Sequence, residues 1–288
     1  MATISELYHY PVKGCAGIRV AAGVLGLAGL EHDRRFLVTD PAGTYRSQRR
    51  DPLLATIQPA VDGERLTLSA PGAAAVHVPI DESAPRRPVT LFGDPYTGID
   101  QGEEVAAWLS AVLGTPSRLV LAPPEHQRIT DGLTPGTSGY ADSCAVHLLS
   151  EASLEELNER VDRPLPMSRF RPNIVVEGWD AYEEDHALRL STGTVELGYG
   201  KPATRCVVAM VDQLTGTRAG PEPLRTLATY RRSAAGGVAF GAKFAVVRPG
   251  PIAVGDVLTV TERSAASLAE PQSRSTTRPS SAASSSPL

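Results

Sequence analysis

Apolar residues in this chain come in short bursts. "ISELYHYPV", "RRFLVTD", "RLTLSA" and "AAVHVPI" in the first part, and "NIVVEG", "TVELGY", "CVVAMVD", "FAVVRPG" and "VLTV" in the last, are β-branched or alternating runs. Pro, Gly and Asp turns such as "DPAG" and "APGA" cut them off. Runs of this kind suit strands that fold back on one another, and they leave little room for helix. Two stretches depart from the pattern. "GEEVAAWLSAVLG" puts Val105, Leu109, Val112 and Leu113 on one helical face and stops at Gly114. "SEASLEELNERV" opens with Ser150 as an N-cap, carries Ser153 in the first turn and turns Leu154 and Leu157 inward. Strands in both halves with a few helices predict an α+β, mainly β fold with barrel-like sheets, rather than a doubly wound parallel sheet.

A length of 288 residues allows one large or two ordinary domains, and 42% hydrophobic with 21% charged residues is the composition of a soluble globular protein. The net charge of −4 lacks the basic excess that nucleic-acid binding favours, although a local basic pocket is compatible with it. No window approaches the ~18 consecutive apolar residues of a membrane span. The opening "MATISELYHYPVKGC" has neither a basic leader nor an apolar signal core, so the expected location is cytoplasmic. Residues 264–288, "SAASLAEPQSRSTTRPSSAASSSPL", are Ser-rich and poor in large aliphatics, which predicts a disordered tail. The cysteines, Cys15, Cys144 and Cys206, are too few and too scattered for a disulfide framework, an iron–sulfur cluster or a Cys₄ zinc site.

The most informative thiol is Cys206, in "KPATRCVVAMVDQLTG". At the head of an apolar run it could fill a core, attack a substrate or hold a soft metal. Arg205 would favour its thiolate if the two face one cavity, which neighbours on a strand do only where the strand starts or bulges. Pro202 marks such an irregularity, and no Cys–His pairing is evident. Elsewhere, "SRFRPNIVV" sets Arg171 and Asn173 about a proline, where the guanidinium can offer a fork to phosphate or carboxylate. "YPVKGC" presents the Lys13 ammonium beside the free backbone N–H of Gly14. "YRSQRRDPLL" places Arg49 and Arg50 before a turn, and "SGYADSCAVHLLS" holds Asp142 in a loop, with His147 as a core or rim residue. Together these describe a cationic pocket for a phosphorylated small molecule, with one thiol and one carboxylate in reach.

The ordered set "YPVKGC", "GLEHDRRFLVTDPAG", "RRDPLL", "DQGEEVAAWLSAVLG", "SEASLEELN", "FRPNIVVEG", "RCVVAMVDQLTG", "PLRTLATYR" and "GPIAVGDVL" resembles the MOSC proteins that carry an N-terminal MOSC β-barrel domain, in the branch of the mitochondrial amidoxime-reducing component and its bacterial relatives. The resemblance runs from about residue 3 to 262 and implies an N-terminal β-barrel domain at 1–120 and a MOSC domain at 121–263. It implies a molybdenum cofactor (molybdopterin) whose metal is ligated by Cys206. Lys13, Gly14, Arg49, Arg171 and Asn173 match positions that grip the pterin and its phosphate. Thr204 and Arg205 match those just before the ligand, and Asp142, with Ser143 beside it, matches a carboxylate near the metal that would relay protons.

The implied reaction is reduction of N-hydroxylated small molecules such as amidoximes, hydroxylamines and hydroxamates. Its electrons would come from a separate ferredoxin, flavodoxin or cytochrome b₅-type donor with its reductase, with no nucleic-acid or membrane partner. Several positions depart from the pattern: Ala203 stands where many relatives have a further cysteine, Gly14 where Ser is common, Cys144 where Ser or Thr is common and Ala187 where a large aromatic is common. They bear on substrate more than on cofactor. A second implication is sulfur relay or cofactor carriage through Cys206, because MOSC domains also end the molybdenum-cofactor sulfurases.

Overall fold

The computed structural model describes residues 1–218, 220–233 and 236–269. Its centre is a closed seven-stranded barrel. Six strands come from the later chain: Val146–Ser150, Ile174–Glu177, Ala187–Ser191, Glu196–Arg205, Val238–Arg248 and Val257–Arg263. The seventh is Ala2–His9, which pairs antiparallel with Ile174–Glu177 on one side and with Val257–Arg263 on the other. Without it the sheet would expose two unpaired edges. One neighbouring pair, Val146–Ser150 with Ile174–Glu177, is parallel. A parallel pair needs a crossover, and the helix Glu151–Asn158 lies in that connection.

Side-chain parity follows the pairing closely. Ile4 and Leu7 are three residues apart, yet both are fully buried in the barrel core. A register shift between Ile4 and Glu6 absorbs the odd residue and restores the inward face. Around them Val146, Ile174, Leu197 and Phe244 fill the interior.

The remaining early chain makes a second unit. A four-stranded antiparallel sheet (Phe36–Thr39, Arg118–Leu121, Asp94–Asp100, Arg86–Leu91) and a three-stranded meander (Gln58–Asp62, Arg65–Ala70, Ala73–Pro79) enclose a core with the helix Glu103–Leu113. Val105 and Leu109 of that helix are buried, and Gly114 ends it in the left-handed conformation (φ 67°), as its sequence predicts. Ser150 caps Glu151–Asn158 by accepting from the Ser153 N–H at 3.1 Å. The fold is thus α+β and mainly β, as expected.

The chain is also exchanged between the units. Besides Ala2–His9, the strand Ala22–Gly26 pairs with Gly250–Ala253. At the other end, residues 264–269 stay with the barrel: the Leu268 N–H donates to the Asp185 carbonyl at 3.0 Å, and Ala269 is 2% exposed. The rest of the Ser-rich segment expected as a tail, 270–288, lies outside the described residues. Among the described residues no helix is long and apolar enough to cross a membrane.

One expected strand is absent. "CVVAMVD" is a 3₁₀ turn over Val207–Met210, with Cys206 at its N-cap. The reason lies in the partner: Arg205 pairs with Val238, the first residue of its strand, so beyond Arg205 no ladder remains. The backbone then satisfies itself locally, through Ala209 N–H to Cys206 C=O at 3.0 Å and Val211 N–H to Val208 C=O at 3.0 Å.

Candidate functional site

Where the Glu196–Arg205 strand stops, a cavity opens between the barrel and the second unit. It measures about 970 Å³ counted to its open mouth. The barrel contributes the loop around Asp142, the segment 169–173, the strand end Thr204–Arg205–Cys206 and Lys243. The opposite wall is built by Lys13 and Gly14, the 45–49 segment and the hairpin tip at Phe92. Of the residues expected from sequence, Lys13, Gly14, Arg49, Asp142, Arg171, Asn173, Thr204, Arg205 and Cys206 all line this one cavity. Ser143 stands just behind it, accepting from Lys243 Nζ at 2.7 Å.

Because the strand ends at Arg205, that residue and Cys206 can face the same space, the exception that neighbours on a regular strand would not meet. Cys206 is partly exposed, and Arg49 sits against its sulfur, which raises the guanidinium above its ordinary pKa. Cys15 and Cys144 are different: burial pushes the Cys15 thiol up to about 12 and raises that of Cys144. Cys206 is therefore the thiol presented for chemistry.

The cavity holds far more positive than negative charge. Lys13 is buried and donates to the Asp142 carboxylate, but desolvation, with Arg34 and Arg128 nearby, still lowers its pKa. Desolvation likewise lowers Arg171, presses Arg205 to about 10 and, with Arg205 and Arg34, brings Lys243 down to about 8. Against these stands Asp142. Its side chain is 58% exposed, but to the cavity rather than to open solvent. Desolvation disfavours its charge, yet Lys13, Lys243 and Arg34 outweigh that and hold the carboxyl well below the usual carboxylate range. Arg169 adds a further demand: its Nε and Nη1 are buried with no hydrogen-bond partner among the described residues, while Nη2 reaches Asp212 at 3.3 Å.

Asn173 is occupied within the protein. Its Oδ1 accepts from Arg34 Nη1 (3.0 Å) and the His147 N–H (3.2 Å), and its Nδ2 donates to the Tyr8 carbonyl (3.1 Å). It thereby fixes Arg34 in place. Arg34 and Arg171 both lie over the Tyr10 ring, at 4.2 and 4.3 Å, and Arg171 adopts φ 55°, a strained backbone for a non-glycine residue.

The chain matches the MOSC N-terminal beta barrel domain over residues 1–116 and the MOSC domain over residues 135–259. It is 35% identical over 281 residues to mitochondrial amidoxime-reducing component 1 of Homo sapiens, covering 89% of this chain and 82% of that protein. It belongs to the MOSC family. A second relative of this MOSC chain, mitochondrial amidoxime reducing component 2 of Rattus norvegicus, is 34% identical with 89% and 82% covered. The molybdenum cofactor sulfurase of Danio rerio is 33% identical over 263 residues, which span 83% of this chain but 31% of that longer protein.

Wall residues of this MOSC protein that stand outside the site set read from sequence include Arg34, Tyr45, Phe92, Arg169 and Lys243. Lys243 carried a signal, being a cation inside the apolar run "FGAKFAVV". Tyr45 and Phe92 lie in turn-rich segments where their direction depends on tertiary contacts.

Proposed function

We propose that this MOSC protein binds a molybdenum cofactor in the cavity and reduces the N–O bond of N-hydroxylated small molecules, taking electrons from a separate ferredoxin, flavodoxin or cytochrome b₅-type donor. The observation that carries this reading is the imbalance of charge around one presented thiol. Desolvated cations with lowered pKa and an Arg169 guanidinium with two nitrogens unpartnered among the described residues fit an anionic, phosphate-bearing group, which would return the missing counter-charge. Among the described residues no three His, Cys, Asp or Glu side chains form a metal cluster, so a metal at Cys206 would draw its other donors from the cofactor.

In this arrangement Arg171, Arg205 and Lys13 hold the phosphate and pterin, Asn173 fixes Arg34, and Cys206 supplies the protein's sulfur to the metal. When bound, the cofactor supplies the two-electron, oxygen-accepting centre. The chain's residues govern protons. Asp142, held ionised by Lys13, Lys243 and Arg34, would take part in the proton relay as an acceptor that passes protons on. Lys243, at about 8 and hydrogen-bonded to Ser143, is the group able to give a proton near neutral pH.

The test is metal and pterin content per chain after expression in a host that makes the cofactor, beside Cys206→Ala. Near-stoichiometric molybdenum in the wild type, lost from a folded Ala variant, is expected, together with turnover of an N-hydroxylated compound under an artificial reductant. A folded but empty wild type, from a host that loads a related enzyme, would refute the reading. The similarity to the sulfurase favours one rival, in which Cys206 relays sulfur: a persulfide on Cys206 without bound molybdenum would decide for it.

A further inference from the structure

The wall facing the strand end carries two aromatic rings: Tyr45, which packs partly against the Leu37–Val89–Leu91 core, and Phe92, which belongs to no core cluster among the described residues. Phe92 is the first of two residues, Phe92 and Gly93, that join Arg86–Leu91 to Asp94–Asp100, with Leu91 paired to Asp94. Both take positive φ, 57° and 96°. Tight hairpins of this kind favour Asn-Gly or Asp-Gly, and a bulky side chain in the left-handed region strains the backbone. The strained residue is nevertheless a phenylalanine, and it is 38% exposed at the cavity wall.

Tyr45 lies beside it, ring centroids 5.0 Å apart and tilted by 58°. Their segments are tied by backbone bonds: the Tyr45 N–H donates to the Thr90 carbonyl at 3.1 Å, and the Thr90 N–H to the Gly43 carbonyl at 2.9 Å. The Tyr45 hydroxyl has no hydrogen-bond partner among the described residues. On its inner side Phe92 covers Lys13, whose Nζ is 4.9 Å from the ring centroid, and so stands over the Lys13–Asp142 pair.

We infer that Tyr45 and Phe92 form an aromatic lip that selects N-hydroxylated substrates bearing a flat, conjugated group next to the N–O function. The inference rests on the reductase reading above and specifies its substrate. Lys13 and Arg128 both lie against the Phe92 ring, at 4.9 and 5.6 Å from its centroid, so a flat π-system would stack chiefly on Tyr45 with Phe92 closing its edge, the N–O group then entering the cavity that Cys206 lines. Small aliphatic N-hydroxy compounds enter the same cavity without that contact.

The variant Phe92→Asn keeps the turn, because Asn is at home in this conformation, and removes the ring. With benzamidoxime and acetamidoxime as a matched pair, KM for the aromatic compound should rise about tenfold while that for the aliphatic one stays within about twofold. Phe92→Tyr should restore the aromatic KM. Equal losses for both compounds, with a shifted pH profile, would mean that Phe92 merely shields Lys13, and unchanged kinetics would also overturn the proposal. Saturation-transfer NMR on the cofactor-free protein gives a readout that needs no turnover: benzamidoxime ring protons should receive magnetisation in the wild type and lose it in Phe92→Asn. If that transfer is seen while neither compound is reduced by molybdenum-loaded protein, the reductase reading fails and the lip stands. If both compounds are reduced but no ring contact or selectivity is seen, the lip fails alone.

Discussion

Replacing Lys243 by methionine should stabilise the cofactor-free protein. The aliphatic stem is kept in volume, and a half-buried, desolvated charge is removed. Desolvation, with Arg205 and Arg34, brings Lys243 from 10.5 to about 8. That difference corresponds to about 3 kcal/mol of destabilisation at neutral pH. Losing the hydrogen bond to Ser143 Oγ offsets about 1 kcal/mol of the gain, leaving a net of about 2 kcal/mol. The sign with pH follows from the lowered folded value. Below about pH 8 the penalty is full and constant; between about 8 and 10.5 the unfolded chain binds the extra proton, so the wild type gains stability as pH rises. Urea denaturation at pH 7 and again near pH 10 measures both parts. The Met variant should lead at pH 7, and its advantage should shrink at the higher pH. A variant less stable than wild type at pH 7, or a gap indifferent to pH, would refute the reasoning. Bound anionic cofactor should reverse the order, because Lys243 then gains counter-charge.

Further outcomes follow from other groups. Burial, and then Asp185, push Glu184 up to about 7, so stability that is full below its ordinary 4.5 is lost as pH rises through about 7. Glu184→Gln should therefore match or trail the wild type at pH 5 and exceed it at pH 8.5, read from urea midpoints. Ser150→Ala removes the cap of Glu151–Asn158 and should cost about 1–2 kcal/mol, visible as a lower denaturation midpoint with unchanged slope. Asp142→Asn removes the carboxylate that raises Lys243, so the alkaline limb of the kcat/KM profile should move to lower pH. An unmoved limb would remove Lys243 from the proton supply.

Features written in local chemistry were legible in the sequence. Gly114 and Ser150 end and begin helices because caps depend on a handful of neighbouring atoms. The cationic set around Cys206 was readable because prolines and glycines mark its loops. What failed to show was non-local. The strand expected after Cys206 does not form because its partner begins at Val238, a fact no window around Cys206 contains. Ala2–His9 read correctly as a strand, but nothing in its residues says that, besides the nearby Ile18–Val20, its barrel neighbours are Ile174–Glu177 and Val257–Arg263, far along the chain. The direction of Phe92 depends on a turn conformation its residue type disfavours, so propensity pointed away from it.

The exchange of Ala2–His9 into the barrel has a consequence for how the protein is made. Ribosomes deliver this strand well before its barrel partners at 174–177 and 257–263. Until they appear it has only the short strand Ile18–Val20 to pair with and is a natural client for holdases. Lys13 and Gly14 follow that strand directly, so the cavity wall is completed only as the barrel closes around it. A cofactor captured at that moment would be sealed in by the final folding step, and its release would require the same long-range closure to come undone.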